Sequence, residues 1–307
     1  MTTINDKPAQ SDIEQPAMPR PIAPQVSATT LRPRGAQWAT NWLQFFPPRQ
    51  IVWQTVRLPI VNLPSSLEGL RVLHLSDLHF RRWYSRAWNL LLERIAANPP
   101  DLILITGDYV DSKRNPYPAL PLARKFLNGL RARDGIFGIV GNHDDYAVAY
   151  ELRDTPVKFI DGKRILVNVR QTPIELIGLP GGLRFDLEAA LIRSFPPRDQ
   201  AVPRIVLSHY PDHLRYSRSL MPDLFLAGHT HGGQVCLPGG IPIIKHDALP
   251  RGLTHGIHQV DGTWLVVSRG LGSTGLPIRV FCPPQVIEME LTAGLYANDS
   301  TSSRLNA

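Results

Sequence analysis

Cysteine is nearly missing from this chain: its 307 residues include only Cys236 and Cys282. Two thiols cannot build a disulfide framework, and their spacing rules out a Cys-x-x-Cys metal or redox motif. Both are expected to behave as small apolar side chains. Long apolar runs are also lacking, and nothing approaches the ~20 consecutive residues that a membrane-crossing helix requires. Met1 to Thr30 holds no uninterrupted apolar stretch behind a basic start, so no signal peptide is expected and a cytoplasmic location is the default. There is no block of about five or six like charges. The 33 Lys and Arg residues are instead spread along the chain, which argues against a dedicated nucleic-acid arm. Internal repeats are absent as well.

What is present is an ordinary globular composition, 43% hydrophobic and 19% charged, sufficient for one substantial core. The net charge of +7 suits an acidic partner: nucleic acid, an anionic membrane surface or a phosphorylated substrate. Residues 1–50 read as a disordered tail, because up to about Arg34 they are rich in Pro, Gln, Thr, Ser and Ala. Within that tail a short amphipathic segment near 36–46 places Trp38, Trp42, Phe45 and Phe46 at helical spacing, flanked by Arg32, Arg34 and Arg49. Such a stripe either packs on the protein's own domain or lies peripherally on a membrane. A single domain is expected over 51–293, followed by a disordered tail over 294–307.

From Ile51 onward strands and helices alternate. Arg71 to Ser76, Asp101 to Thr106, Gly135 to Val140, Arg204 to Ser208 and Leu224 to Ala227 read as buried strands. Trp88 to Ala97, Pro118 to Leu130 and Asp186 to Phe195 read as helices, the first with Trp88, Leu91, Leu92 and Ile95 on one face. Trp264 to Ser268, Ile278 to Phe281 and Val286 to Leu291 are strand-like with no helix between them. An α/β fold with a mixed sheet follows.

The chemistry-bearing residues sit directly after strands: Asp77-Leu78-His79, Gly107-Asp108, Gly141-Asn142-His143-Asp144, His209 and Gly228-His229-Thr230-His231-Gly232-Gly233. Open α/β sheets collect their sites beyond the carboxyl ends of strands, so these turns are expected to converge on one crevice. Residues two apart in extended backbone point the same way, which pairs Asp77 with His79 and His229 with His231. Taken singly, an Asp-x-His is ordinarily a cap or surface feature and a Gly-Asp a plain turn. A full series of ligand-bearing turns, each behind a buried strand, has no such ordinary explanation and reads as a metal centre.

This ordered set resembles the calcineurin-like metallophosphoesterases over about Leu73 to Gln234. Ser76 to His79, Gly228 to Gln234 and Ser268 to Gly272 look most like the bacterial phosphodiesterase branch, whose members often associate with membranes. Some relatives in that branch cleave the pyrophosphate of a UDP-diacylglucosamine lipid precursor. The resemblance implies a four-layer α/β/β/α sandwich of two mixed β-sheets flanked by helices. It also implies two metal ions, the first on Asp77, His79 and His231, the second on Asn142, His209 and His229, with Asp108 bridging. Mixed oxygen and imidazole donors suit Mn, Fe or Zn. A hydroxide between the metals would be the nucleophile on a phosphate-ester substrate, lipid-linked or nucleotide. His143 resembles the family residue that protonates the leaving oxygen, and Asp144 or Asp111 would orient a neighbouring imidazole.

Substrate recognition is less legible. Arg81, Arg82 and Arg86, interleaved with Trp83 and Tyr84, are candidates for a second phosphate or a base, and Arg269 and Arg279 are weaker ones. Two other readings compete with a phosphodiesterase or pyrophosphatase. A protein Ser/Thr phosphatase is disfavoured because Ser112-Lys113 and Asp144 stand where that branch carries Arg-Gly and Glu. A non-catalytic scaffold is disfavoured because the ligand set is complete.

Overall fold

Strands such as Leu102–Ile105 and Leu224–Ala227 have no polar face and must be covered on both sides. The chain achieves this by stacking two sheets and placing helices outside them. The structure, a computed structural model, describes residues 24–31, 42–112, 114–181, 185–243 and 250–294.

The first sheet has seven strands in the order Gln25–Leu31, Ile51–Ile60, Gln285–Ala293, Leu70–Leu75, Leu102–Ile105, Gly135–Gly138 and Val157–Phe159. It is mixed, because Gln285–Ala293 runs parallel to Ile51–Ile60 and antiparallel to Leu70–Leu75. The second has six, ordered Gly256–Val260, Thr263–Val267, Leu224–Ala227, Arg204–Ser208, Thr172–Leu179 and Arg164–Val169, with antiparallel hairpins at both edges. Between them lies a dry core that includes Val72, Leu104, Leu207, Leu226 and Ile287. Each such side chain contributes roughly 1.5–3 kcal/mol by leaving water.

Helices Arg86–Ala97 and Leu120–Gly129 close the outer face of the first sheet, where Trp88, Leu91 and Ile95 meet Phe126 and Ile103. Leu92, placed on the same stripe by its spacing, is only half-buried. Phe185–Ser194 and Leu214–Ser217 stand on the outer face of the second sheet, with Ile192 and Leu214 against Val206 and Phe225. The four-layer α/β/β/α sandwich is therefore present. The strand nearest the chain's end lies in the middle of the first sheet, which ties both ends of the sequence into a single domain.

The N-terminal region departs from the tail expected over 1–50. Gln25–Leu31 pairs antiparallel with Ile51–Ile60, and Leu43–Phe45 pairs antiparallel with Ile278–Val280. Trp42, Phe45 and Phe46 thus do not lie on a helix; hydrogen bonding to a partner from the far end of the chain overrides their helical spacing. Residues 1–23 and Trp38 lie outside the described residues, as does the expected tail from 295 onward. Among the described residues no helix is long and apolar enough to cross a membrane.

Candidate metal centre

The parallel strands Leu70–Leu75, Leu102–Ile105 and Gly135–Gly138 of one sheet end beside Arg204–Ser208 and Leu224–Ala227 of the other, so their following turns share one space. Backbone bonds lock those turns together: Asp77 N–H donates to Gly107 O at 3.0 Å, and Gly228 N–H to His209 O at 3.1 Å. The packing leaves no room for side chains at the glycines involved. A Cβ on Gly107, whose φ is +93°, would lie 2.5 Å from Gly141 N, and one on Gly228 would overlap Asp77. Asp77, His79, Asp108, His229 and His231 themselves hold left-handed φ values between 43° and 67°. Each costs about 1–3 kcal/mol, and strain of this kind persists where surrounding structure holds side chains in working positions.

All the predicted donors come together. Asp77, His79 and His231 form one cluster, and Asp77, Asp108 and His209 another, with ligand atoms within 4.8 Å of one another in each. His79 Nε2 lies 3.0 Å from His231 Nε2 and 3.3 Å from Asp108 Oδ2. On the other side, the same Asp108 oxygen is 3.4 Å from His209 Nε2. Asn142 Oδ1 lies 2.9 Å from both His209 Nε2 and His229 Nδ1. Asp77, His79, Asp108, His209 and His231 are buried, whereas Asn142 and His229 are partly open.

Electrostatics follow from that burial. His79 is driven down by desolvation, but Asp108, Asp111 and Asp77 outweigh it and push the imidazole up to about 9. His209 is likewise raised to about 9, burial being outweighed by Asp108 and Asp77. Burial raises Asp77, while Asp108 is held well below the usual carboxylate range because His209 and His79 overcome its desolvation. His231 is pushed well down by burial, by His79 and by the Arg279 guanidinium. Burial and Asp108 lift Asp144 to about 7.

The donors fit a pair of cations. His209 Nδ1 donates to Thr106 O at 2.7 Å, so a neutral ring turns its Nε2 lone pair toward the Asn142 oxygen. Lone pairs at that separation repel unless a proton or a cation stands between them. The 3.0 Å approach of two Nε2 atoms in the other cluster makes the same demand.

Asp111 Oδ1 faces His79 Nδ1 at 3.5 Å, an ion-pair separation with no hydrogen bond to that nitrogen. Asp144 does not orient an imidazole: its carboxylate accepts from the backbone N–H groups of Tyr109, Val110 and Gly141 and staples two of the turns. His143 is half-buried beside the donors, its ring 4.8 Å from that of His79. Arg81 is occupied structurally, donating to Asp111 Oδ1, Ser273 O and Gly275 O, while Arg82 and Arg86 are exposed and outside the donor clusters.

Arg279 is more important than its sequence position suggested. Only 3% exposed, it donates to His231 Nδ1 at 3.1 Å and to the carbonyls of Gly272 and Arg269. Its signal was a lone charge between Ile278 and Val280 in a strand, a pattern that turns the charge to the face opposite the apolar pair. The cysteines also come together. Cys236 Sγ–H donates to Gly232 O at 3.1 Å and Cys282 Sγ–H to His231 O at 3.1 Å, and the neighbouring Cys236 thiol holds Cys282 below the usual thiol range. They form a buried polar pair beneath His231, where the sequence reading expected unconnected apolar fillers.

Carboxylate, amide and imidazole donors pooled where two stacked sheets end are what metal-dependent phosphoester hydrolases use, and this chain is one of that class. It belongs to the calcineurin-like phosphoesterase family, whose profile matches residues 70–233. An uncharacterized metallophosphoesterase of Bacillus subtilis (strain 168), YkuE, is 30% identical over 264 residues, covering 80% of this chain and 87% of that one. A second from the same organism, YkoQ, is 29% identical over 226 residues, covering 71% of this chain and 82% of its own length. Phosphodiesterase YaeI of Escherichia coli (strain K12) is 28% identical over 254 residues, 78% of this chain and 88% of that protein.

Proposed function

We propose that this hydrolase is a phosphodiesterase or pyrophosphatase with a dinuclear centre. Asp77, His79 and His231 would hold one cation, Asn142, His209 and His229 the other, and Asp108 would contact both. The observation that carries the reading is the position of Asp108 Oδ2, 3.3 Å from His79 Nε2 and 3.4 Å from His209 Nε2. Mixed oxygen and imidazole donors favour Mn, Fe or Zn over a thiolate-seeking ion. When bound, the cations supply Lewis-acid charge for the phosphoryl oxygens and acidify a water for attack.

The chain's own groups do the rest. His143 N–H donates to Asp108 Oδ1 at 2.8 Å and its Nδ1 donates to Asp111 O at 2.7 Å, which fixes the ring plane. Its Nε2 is left facing Thr274 Oγ1 at 3.4 Å, in a partly open position. His143 Nε2 is placed to hand a proton to the departing oxygen. The substrate is a phosphate ester, lipid-linked or nucleotide, met by a chain that is cytoplasmic or peripheral at a membrane. A diester is favoured over a phosphoprotein by Ser112-Lys113 and Asp144 and by the resemblance to a protein named as a phosphodiesterase.

The test is turnover of bis(p-nitrophenyl) phosphate beside p-nitrophenyl phosphate after loading with Mn, Fe or Zn. Preference for the diester supports the proposal. Preference for the monoester makes the protein a phosphomonoesterase, and no turnover with any of these ions leaves a scaffold.

A further inference from the structure

Strand Leu43–Phe45 sits on Ile278–Val280 with Phe45 opposite Ile278, Gln44 opposite Arg279 and Leu43 opposite Val280. Gln44 and Arg279 are buried and face inward, where Arg279 reaches His231. The alternate side chains must then face outward, and every one of them is apolar. A single bridge joins that pair to a second one. Val235 bridges to Val280 and leads into the hairpin Cys236–Leu237 with Ile241–Pro242, whose inward residues Cys236 and Pro242 are buried. Its outward residues Leu237 and Ile241 face each other across the hairpin and are 52% and 55% exposed. Phe45 is 51% exposed and Leu276, in the adjoining loop, 66%. A contiguous apolar ribbon thus lies on the rim of the metal centre, one layer of side chains away from a metal-ligand candidate. Patches of this kind on a water-soluble surface mark interaction sites.

Charge indicates the partner. The ribbon segments 42–46, 235–243 and 276–281 contain no Asp or Glu. Beside them, Arg81 stacks over Phe46, and Ser85 Oγ donates to Pro48 O at 2.5 Å. Arg82, Trp83 and Arg86, which adjoin Arg81 and Ser85 in the chain, are exposed. Two copies of a face that lacks acidic residues and is bordered on one side by exposed arginines repel, whereas anionic headgroups attract it. Indole rings at such a boundary suit the water–lipid interface.

We propose that this ribbon docks the protein on an anionic lipid surface, with the metal centre facing phosphate esters held at that surface. The inference builds on the phosphoesterase reading for its purpose, but docking itself is independent of catalysis. The apolar side chains enter the headgroup region while Arg82 and Arg86 meet lipid phosphates.

Vesicle sedimentation of the full chain tests this. With phosphatidylcholine vesicles containing roughly one-third phosphatidylglycerol the protein is expected to pellet, with pure phosphatidylcholine far less, and salt near ~0.5 M is expected to weaken binding. The double substitution Phe45→Asp and Leu237→Asp should lower vesicle affinity at least about tenfold. Its turnover of bis(p-nitrophenyl) phosphate should remain within about twofold of the parent, since neither side chain belongs to the donor set. If circular dichroism shows that the double variant is misfolded, Ile241→Asp alone, on the exposed hairpin, carries the same comparison. No pelleting with anionic vesicles, or undiminished pelleting of folded variants, overturns the proposal. So does a dimer of the parent chain that the substitutions dissociate, with no vesicle binding. Because diester turnover is read without lipid, failure of the hydrolase reading and failure of docking are separately visible.

Discussion

The two sides of the metal centre are built from different chemistry. The side of Asp77, His79 and His231 is fully buried, is crowded by the carboxylates of Asp77, Asp108 and Asp111, and is closed from behind by the cationic Arg279. The side of Asn142, His209 and His229 presents a neutral amide, is partly open, and is steadied by a backbone carbonyl, Thr106 O. Arg279 donates to His231 Nδ1, so a neutral His231 keeps its proton on Nε2 and must lose it to ligate a cation. Protons compete with cations on both sides, since His79 and His209 are both raised to about 9, and the partly open side is the one expected to exchange its ion more readily. Asp108 lies between the two, within 3.4 Å of a histidine on each, and in the proposed arrangement serves both.

That contrast can be broken outright at its shared member. Asp108→Ala should remove both metals, measured by elemental analysis, and lower diester turnover by at least about 10³-fold. Two tightly bound metals in this variant would contradict the bridging assignment. His143→Ala should keep both metals and reduce kcat by roughly 10²–10⁴-fold, because it removes a proton donor and no ligand. Unchanged turnover would remove His143 from the mechanism.

Asp111→Asn separates the sides. It takes the carboxylate from behind His79 and should weaken one metal by roughly 10–100-fold in a competition titration with a chelator, leaving the other in place. Equal weakening of both sites would show that the sides are not independent. The smallest effect concerns pH and the metal-free chain. His79 and His209 are raised to about 9 from an ordinary imidazole near 6.5. A raised folded-state value stabilises the fold fully below the unfolded value, and that stabilisation is lost as pH climbs through the folded one. The melting temperature without metal should accordingly fall between pH ~6.5 and ~9, and bound metals should flatten the decline by taking the protons' place. A metal-free melting temperature that holds or rises over this interval would refute the imidazolium–carboxylate pairing.

Legibility varied along the chain for physical reasons. Arg204–Ser208 and Leu224–Ala227 could be bounded from sequence to the residue, because short runs with an apolar centre between turn signals have little alternative to central strands. The hairpin Arg164–Val169 with Thr172–Leu179 escaped notice, since its first strand is an edge alternating between half-buried and exposed positions. Gln25–Leu31 and Leu43–Phe45 were lost in a region whose composition suggested disorder, because their partners, Ile51–Ile60 and Ile278–Val280, carry no local signal of the pairing. Asp144 was misread because a carboxylate beside Asn142 and His143 looks like an imidazole partner, yet three backbone N–H groups claim it first.

The amino-acid sequence alone determined the donor chemistry and its order, since each ligand-bearing turn follows a strand whose hydrophobicity leaves it no choice but burial. It likewise determined the layered α/β class. Tertiary structure alone decided which groups face the donors from behind: Arg279 against His231, the thiols of Cys236 and Cys282 beneath Gly232, and Asp111 against His79. It also turned a presumed amphipathic helix into one strand of an exposed apolar ribbon. Local pattern records which face of an element is dry, but contacts between residues hundreds of positions apart depend on how the two sheets close over each other.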